Sequence, residues 1–228
     1  MELDAILLAI EVLGIISFAI SGSIIAIDKE MDIIGVYFLA LCTAFGGGIL
    51  RDVMIGNIPP LFFGELVYLV VIAALTATLV FSFACLFKRW YLEKEALIIN
   101  VNNYIDAIGL GSFAVSGAKI CLAVCPDGGA FLAVAMGVVS AVGGGMIRDV
   151  CLGDIPFVLR KRVYALAAII GATLYYLIDV VIVGGVVGDI VGSAVGILTV
   201  VLIRVLATRF KWNLPKVKLS IKDDGDKY

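Results

Sequence analysis

Apolar residues fill this chain in long runs, and the polar positions gather between them. A membrane span needs about 20 mostly apolar residues. Seven runs meet that length, near residues 5–27, 33–55, 64–87, 103–125, 128–152, 161–183 and 186–207. The links carry turn and charge signals, among them Asp28-Lys29-Glu30-Met31-Asp32, Asn57-Ile58-Pro59-Pro60, the stretch from Lys88 to Asn103, Pro126-Asp127-Gly128-Gly129 and Gly184-Gly185. The pattern predicts an all-α membrane protein of seven transmembrane helices.

Composition agrees: 62% of the 228 residues are hydrophobic and the mean hydropathy is +1.14. Ordinary globular domains are roughly 45–50% apolar, and one core of this size could not hide the excess. Lipid can, because it is the solvent for the outer face. Charge then sets orientation. With seven spans, the N-terminus lies on one side (side A), and loops 1–2, 3–4 and 5–6 and the C-terminal tail lie on the other (side B). Side B carries Lys29, Lys88, Arg89, Lys94, Arg160, Lys161, Arg162, Arg204, Arg209, Lys211, Lys216, Lys218, Lys222 and Lys227, 14 of the 17 Lys and Arg. The other three, Arg51, Lys119 and Arg148, fall within spans. By the positive-inside rule side B is cytoplasmic, with the N-terminus outside and the C-terminus inside. An even number of spans would spoil this partition. The opening Met1-Glu2-Leu3-Asp4 lacks the basic start of a cleavable signal peptide.

What is absent narrows the chemistry. The chain has no histidine, which removes the commonest general base and metal ligand. No nucleophile–base spacing or phosphate loop is present, so no enzyme and no cofactor are expected. Cys121 and Cys125 have helical spacing, but no second ligand pair accompanies them. All five cysteines read as small apolar side chains. The basic charge of a nucleic-acid binder is missing.

Two segments recur. Gly14-Ile-Ile-Ser17-Phe18-Ala19-Ile-Ser21-Gly22 matches Gly109-Leu-Gly-Ser112-Phe113-Ala114-Val-Ser116-Gly117 at an offset of 95 residues (17 to 112). Ala44-Phe-Gly46-Gly47-Gly48-Ile-Leu-Arg51-Asp52-Val53 matches Ala141-Val-Gly143-Gly144-Gly145-Met-Ile-Arg148-Asp149-Val150 at an offset of 97 (46 to 143), and the match continues through Ile58-Pro59 and Ile155-Pro156. Each unit holds three spans, an odd number, so the second copy enters from the opposite side. This is an inverted-topology repeat, which commonly places a polar pathway at the repeat interface. The chain divides into a first three-helix unit (1–87), a cytoplasmic linker (88–102), a second, inverted unit (103–183), a seventh helix (184–207) and a cytoplasmic tail (208–228).

Several positions could carry chemistry. The triplets Gly46–Gly48 and Gly143–Gly145 sit mid-span, where glycine weakens a helix. They predict a kink lining a polar pathway, against the alternative of close helix packing. Gly188, Gly192 and Gly196, at steps of four, predict a tight contact face instead. Ser17 and Ser21 share one helix face; Ser112, Ser116 and Lys119 share another. Serines can also bond their own helix carbonyls. Lys119 aligns with Ile24 and breaks the symmetry, and a charge in the membrane normally faces a bundle interior or water. Glu11 aligns with Asp106, and Arg51 with Arg148. The topology predicts two ion pairs, Glu11–Arg51 in the side A half and Asp106–Arg148 in the side B half. Adjacent residues point apart on a helix, so Asp52 and Asp149 are expected to face a vestibule or another chain.

The paired GGGxxRD motifs, the Ser-Phe-Ala-x-Ser-Gly segments and the layout of three, three and one helices resemble the prokaryotic TRIC family, the trimeric intracellular cation channels. Such sequences are also filed as a putative glycine transporter domain. The resemblance covers roughly residues 5–207. It implies a homotrimer in the cell membrane, with one hourglass pore per protomer between helices one, two, four and five. It implies passage of K⁺ and, less selectively, Na⁺, with kinks at the two glycine triplets. Lys119 resembles the family's pore lysine, and the seventh helix would fill in against neighbours. Carbonyl and hydroxyl oxygens suit a hard monovalent cation, whereas Lys119 should repel one; either an acidic neighbour such as Asp127 neutralises it or Lys119 itself gates. A secondary transporter of a small solute such as glycine fits the inverted repeats equally well.

Overall fold

The computed structural model of the chain describes residues 5–64, 66–160 and 163–212, with Arg160 described by its backbone alone. Lys161, Arg162 and the tail lysines Lys216, Lys218, Lys222 and Lys227 lie outside the described residues. Seven helices are long and apolar enough to cross a membrane. We number them α1 (Ala5–Asp28), α2 (Ile33–Met54), α3 (Tyr68–Leu86), α4 (Glu95–Val124), α5 (Gly129–Cys151), α6 (Tyr164–Ile182) and α7 (Gly185–Arg209). Short helical pieces, Leu61–Phe63, Lys88–Glu93, Pro126–Gly128 and Phe157–Arg160, occupy the links. Among the described residues there is no strand. The chain is thus an all-helical, multi-pass membrane protein.

Two bounds depart from the sequence expectation. The 88–102 stretch is helical for most of its length: Lys88–Glu93 is one turn and a half, and α4 begins at Glu95. Its polar residues break the apolar run, yet the stretch is helical apart from Lys94, because Glu, Ala, Leu and Lys are good helix formers. At the other end, α6 finishes in a π-helical stretch, Leu177–Ile182.

The four helices α1, α2, α4 and α5 pack on one another as an inner group. Around it, α3 lies against α1 and α2, α6 against α4 and α5, and α7 against α4 and α6. The inverted repeat is visible in this arrangement, since exchanging the two units exchanges α3 with α6, and α7 has no counterpart. Exposed Val71, Leu75 and Leu79 on α3 and Leu198 and Leu202 on α7 face outward, as lipid-bathed surfaces do. The links support the inversion. Lys29 in the α1–α2 link pairs with Asp154 in the α5–α6 link (3.1 Å), and Cys125 after α4 approaches the Ile55 carbonyl after α2 (4.0 Å). Links that the topology assigns to one side therefore meet there.

The repeated motif packs on itself across the pseudo-two-fold axis. Phe18 and Phe113, which are equivalent residues, pack with centroids 5.1 Å apart and their rings tilted by 57°. Each ring rests on the other unit's glycine, Phe113 over Gly14 and Phe18 over Gly109.

Candidate ion pathway

The glycine triplets mark where α2 and α5 cross. Both helices run through their triplets without interruption. A Cβ on Gly47 would run into the Ser140 carbonyl, and one on Gly144 into the Thr43 carbonyl. Thr43 and Ser140 are themselves repeat equivalents (43 + 97 = 140). In this conformation the glycines therefore allow close backbone approach, and helical hydrogen bonding continues through Gly46–Gly48 and Gly143–Gly145.

On either side of the crossing lies a buried charge constellation. Toward side A, Glu11 of α1 and Arg51 and Asp52 of α2 are each 0% exposed. Arg51 Nη1 stands 4.0 Å from Glu11 Oε1, and its Nη2 stands 2.8 Å from Asp52 Oδ1. Arg51 also donates from Nη1 to Ser140 Oγ of α5 at 3.5 Å. Toward side B the set repeats. Arg148 Nη1 is 3.6 Å from Asp106 Oδ1, and Nη2 is 2.8 Å from Asp149 Oδ1. Arg148 donates to Ser21 Oγ of α1 (3.2 Å), and Ser21 donates to Asp106 (3.4 Å). Desolvating an ion costs several kcal/mol or more, so such groups persist only with close counter-charges.

The structure thus brings together both expected pairs, and it corrects two details. Arg51 does meet Asp52, and Arg148 does meet Asp149, because a long guanidinium stem folds back where the Cβ directions diverge. Asp52 and Asp149 do not face a vestibule or another chain. The second oxygen of Asp52 accepts from Leu61 N (2.9 Å), and that of Asp149 from Phe157 N (2.6 Å). Each acid therefore ties down the start of the short helix after its span. The repeated glycines Gly56 and Gly153 make the turn between, at φ +73° and +69°, a region that side-chain-bearing residues seldom occupy. The GGGxxRDVxxGxIP repeat is in large part the specification of this crossing and this turn.

The serines separate. Ser17 donates to its own helix at Leu13 O (2.8 Å), and Ser21 belongs to the side B constellation. Ser112 and Ser116 are fully buried; the Ser112 hydroxyl has no hydrogen-bond partner among the described residues, and the Ser116 hydroxyl lies beside the Glu11 carboxylate.

Lys119 stands apart. Its Nζ is 2.6 Å from Asp189 Oδ2 of α7; Asp127, the acid expected to neutralise it, is exposed in the turn Pro126–Gly128. The Tyr175 hydroxyl of α6 lies between Asp179 Oδ2 (3.1 Å) and Asp189 Oδ1 (3.2 Å). These residues line a cavity of about 400 Å³ between α4, α6 and the start of α7. The contact-face glycines make this possible. Gly188 and Gly192 lie against Asp179 and Tyr175, and Gly196 against Gly171 and Val115, so the face is spent on α6 and α4 of the same chain.

Sequence reasoning passed over Asp179, Asp189 and Arg204, although each is a charge inside an apolar run, the signal that singled out the others. Counted with the loops, Arg204 is in fact 2% exposed, its guanidinium 4.7 Å over the Tyr164 ring and 5.4 Å from Phe157. Tyr164 in turn hydrogen-bonds Asp106.

Comparison with known proteins fits this geometry. The family model described as Glycine transporter matches residues 8–84 and 103–179, one match per repeat. UPF0126 membrane protein YvgT of Bacillus subtilis is 38% identical over 209 residues, covering 90% of this chain and 94% of that protein. A crystal structure of a prokaryotic TRIC channel superposes with a TM-score of 0.79 at 31% identity, covering 92% of this chain and 98% of that one. The chain belongs to the prokaryotic TRIC family. The TRIC trimeric intracellular cation channel orthologue from Rhodobacter sphaeroides superposes with a TM-score of 0.77 at 29% identity, covering 92% of this chain and all of that one. These neighbours are channels.

Proposed function

We propose that the protein is a K⁺-permeable monovalent cation channel of the cell membrane, passing Na⁺ less selectively, with one pathway per protomer between α1, α2, α4 and α5. The observation that carries this reading is the charge balance of the inner group. Each constellation sets two carboxylates against one guanidinium, Glu11 and Asp52 about Arg51, and Asp106 and Asp149 about Arg148. Two carboxylates about each guanidinium, on both sides of the crossing, suit a monovalent cation better than an anion. The buried oxygens of Glu11, Ser112 and Ser116 are suitable ligands for it. Opening requires α2 and α5 to part at Gly47 and Gly144, where they now touch, and bending there would expose glycine-region carbonyls. The functional unit is a homotrimer, on the strength of the neighbour named as trimeric. The C-terminus lies in the cytoplasm, on the strength of the charge partition.

The second reading, a secondary transporter of a small solute such as glycine, is favoured by the family's description and by the inverted repeat. Reconstitution into planar bilayers separates the two. Discrete unitary K⁺ currents are expected. Saturable glycine uptake into proteoliposomes without unitary currents would replace the channel with the transporter.

A further inference from the structure

The pseudo-two-fold axis supplies an internal control for the cavity at Lys119. The equivalent of Lys119 is Ile24 (24 + 95 = 119). Ile24 lines a cavity of its own, of about 350 Å³, near the other membrane face. There α3 supplies Leu79, Val80 and Phe83, where α6 supplies Tyr175 and Asp179 to the first. Trp90 and Leu97 close it, in the place where α7 brings Asp189. The fold therefore accepts an apolar cavity at this position. The charges in the second copy are not needed to build the three-helix unit.

Those charges are also unequal. One ammonium, Lys119, faces two carboxylates, Asp179 and Asp189, with Tyr175 between the acids. The side chains of Lys119 and Asp189 are 13% and 14% exposed, so they are wetted at the cavity mouth and not sealed like Arg51. By topology this mouth is at the side A end of α4, one of the four helices of the proposed pathway.

We propose that Asp189, supported by Asp179, is the specificity-determining residue of the side A entrance. It holds the Lys119 charge in an ion pair and leaves the entrance with surplus negative charge, which concentrates cations. Lys119 then no longer opposes cation passage, and α7 acts as a selectivity element as well as packing surface. This rests on the channel reading above.

The test is single-channel recording from the reconstituted full chain in a KCl gradient. Asp189→Asn removes the carboxylate 2.6 Å from the lysine: unitary K⁺ conductance is expected to fall about twofold or more, and the reversal potential to move from the K⁺ toward the Cl⁻ equilibrium value. Asp189→Glu, which keeps the charge, should preserve the wild-type reversal potential, and Asp189→Asn with Lys119→Gln should restore cation preference. Wild-type conductance and reversal potential in Asp189→Asn would overturn the assignment. So would a silent Asp189→Asn channel that the double variant fails to rescue, since Asp189 would then be structural. If the wild-type protein itself gave no unitary currents, the channel reading would fail first and carry this assignment down with it.

Discussion

Arg51 is a cation that cannot reach water: it is fully buried, and its neighbours Glu11 and Asp52 are as buried as it is. Removing one partner from such a set leaves uncompensated charge in low dielectric, which costs about 3–5 kcal/mol. Arg51→Gln strands two carboxylates, so a large drop in the melting temperature of the detergent-solubilised protein is expected, and an unchanged melting curve would show that the acids are not ionised partners. The pairing is specific as well. Exchanging the charges, Glu11→Arg with Arg51→Glu, should recover more stability than Glu11→Arg with Arg148→Glu, because Arg148 serves Asp106 in the other half of the membrane. These pairs were legible in the sequence because the repeat aligned Glu11 with Asp106 and Arg51 with Arg148, and topology fixed their depth. The contacts of Asp52 and Asp149 were not. The rule that neighbours on a helix diverge describes Cβ atoms, and it neglects both the reach of arginine and the unpaired amides of a helix start, which a nearby carboxylate satisfies.

At the scale of elements, α7 shows how packing and charge are joined. Small residues at 188, 192 and 196 let it approach α6 closely enough for Asp189 to reach Lys119 and Tyr175. A leucine at 192 would collide with the Tyr175 backbone and ring, which lie 3.2 and 3.3 Å from a Cβ built there. Gly192→Leu should therefore push α7 outward and reproduce, in bilayer recordings, the shift of reversal potential expected of Asp189→Asn, although no charge has changed. A reversal potential identical to wild type would show that the ion pair survives the displacement or has no part in selectivity. The contact face itself was plain from the spacing of its glycines. Its partner was not, because spacing says that a helix packs tightly without saying against what. The π-helical end of α6 was equally hidden: Leu177–Ile182 is apolar apart from Asp179 and reads as ordinary helix, and its register answers to α7, which packs upon it.

For the whole molecule, the decisive property is parity. Three spans per repeat force the second copy to be inverted, and seven spans place the two termini on opposite sides. The Lys29–Asp154 pair joins two links on one side, and the Cys125–Ile55 contact joins two on the other, so the sidedness of the links relative to one another is built into the fold. Which side faces the cytoplasm is a separate matter that rests on the distribution of Lys and Arg. Both can be read in one experiment. The five cysteines are free and can be replaced together, leaving a background for single cysteines at two exposed link positions, Glu30 and Asp127. A membrane-impermeant maleimide applied to intact cells should label Asp127→Cys and spare Glu30→Cys, and inverted vesicles should give the opposite. Labelling of both from one side would break the inversion and with it the pseudo-two-fold axis. The reverse pattern would keep the axis intact but turn the molecule over. Lys119 and Asp189 would then guard the cytoplasmic mouth, and the ions meeting them would be those of the cell interior.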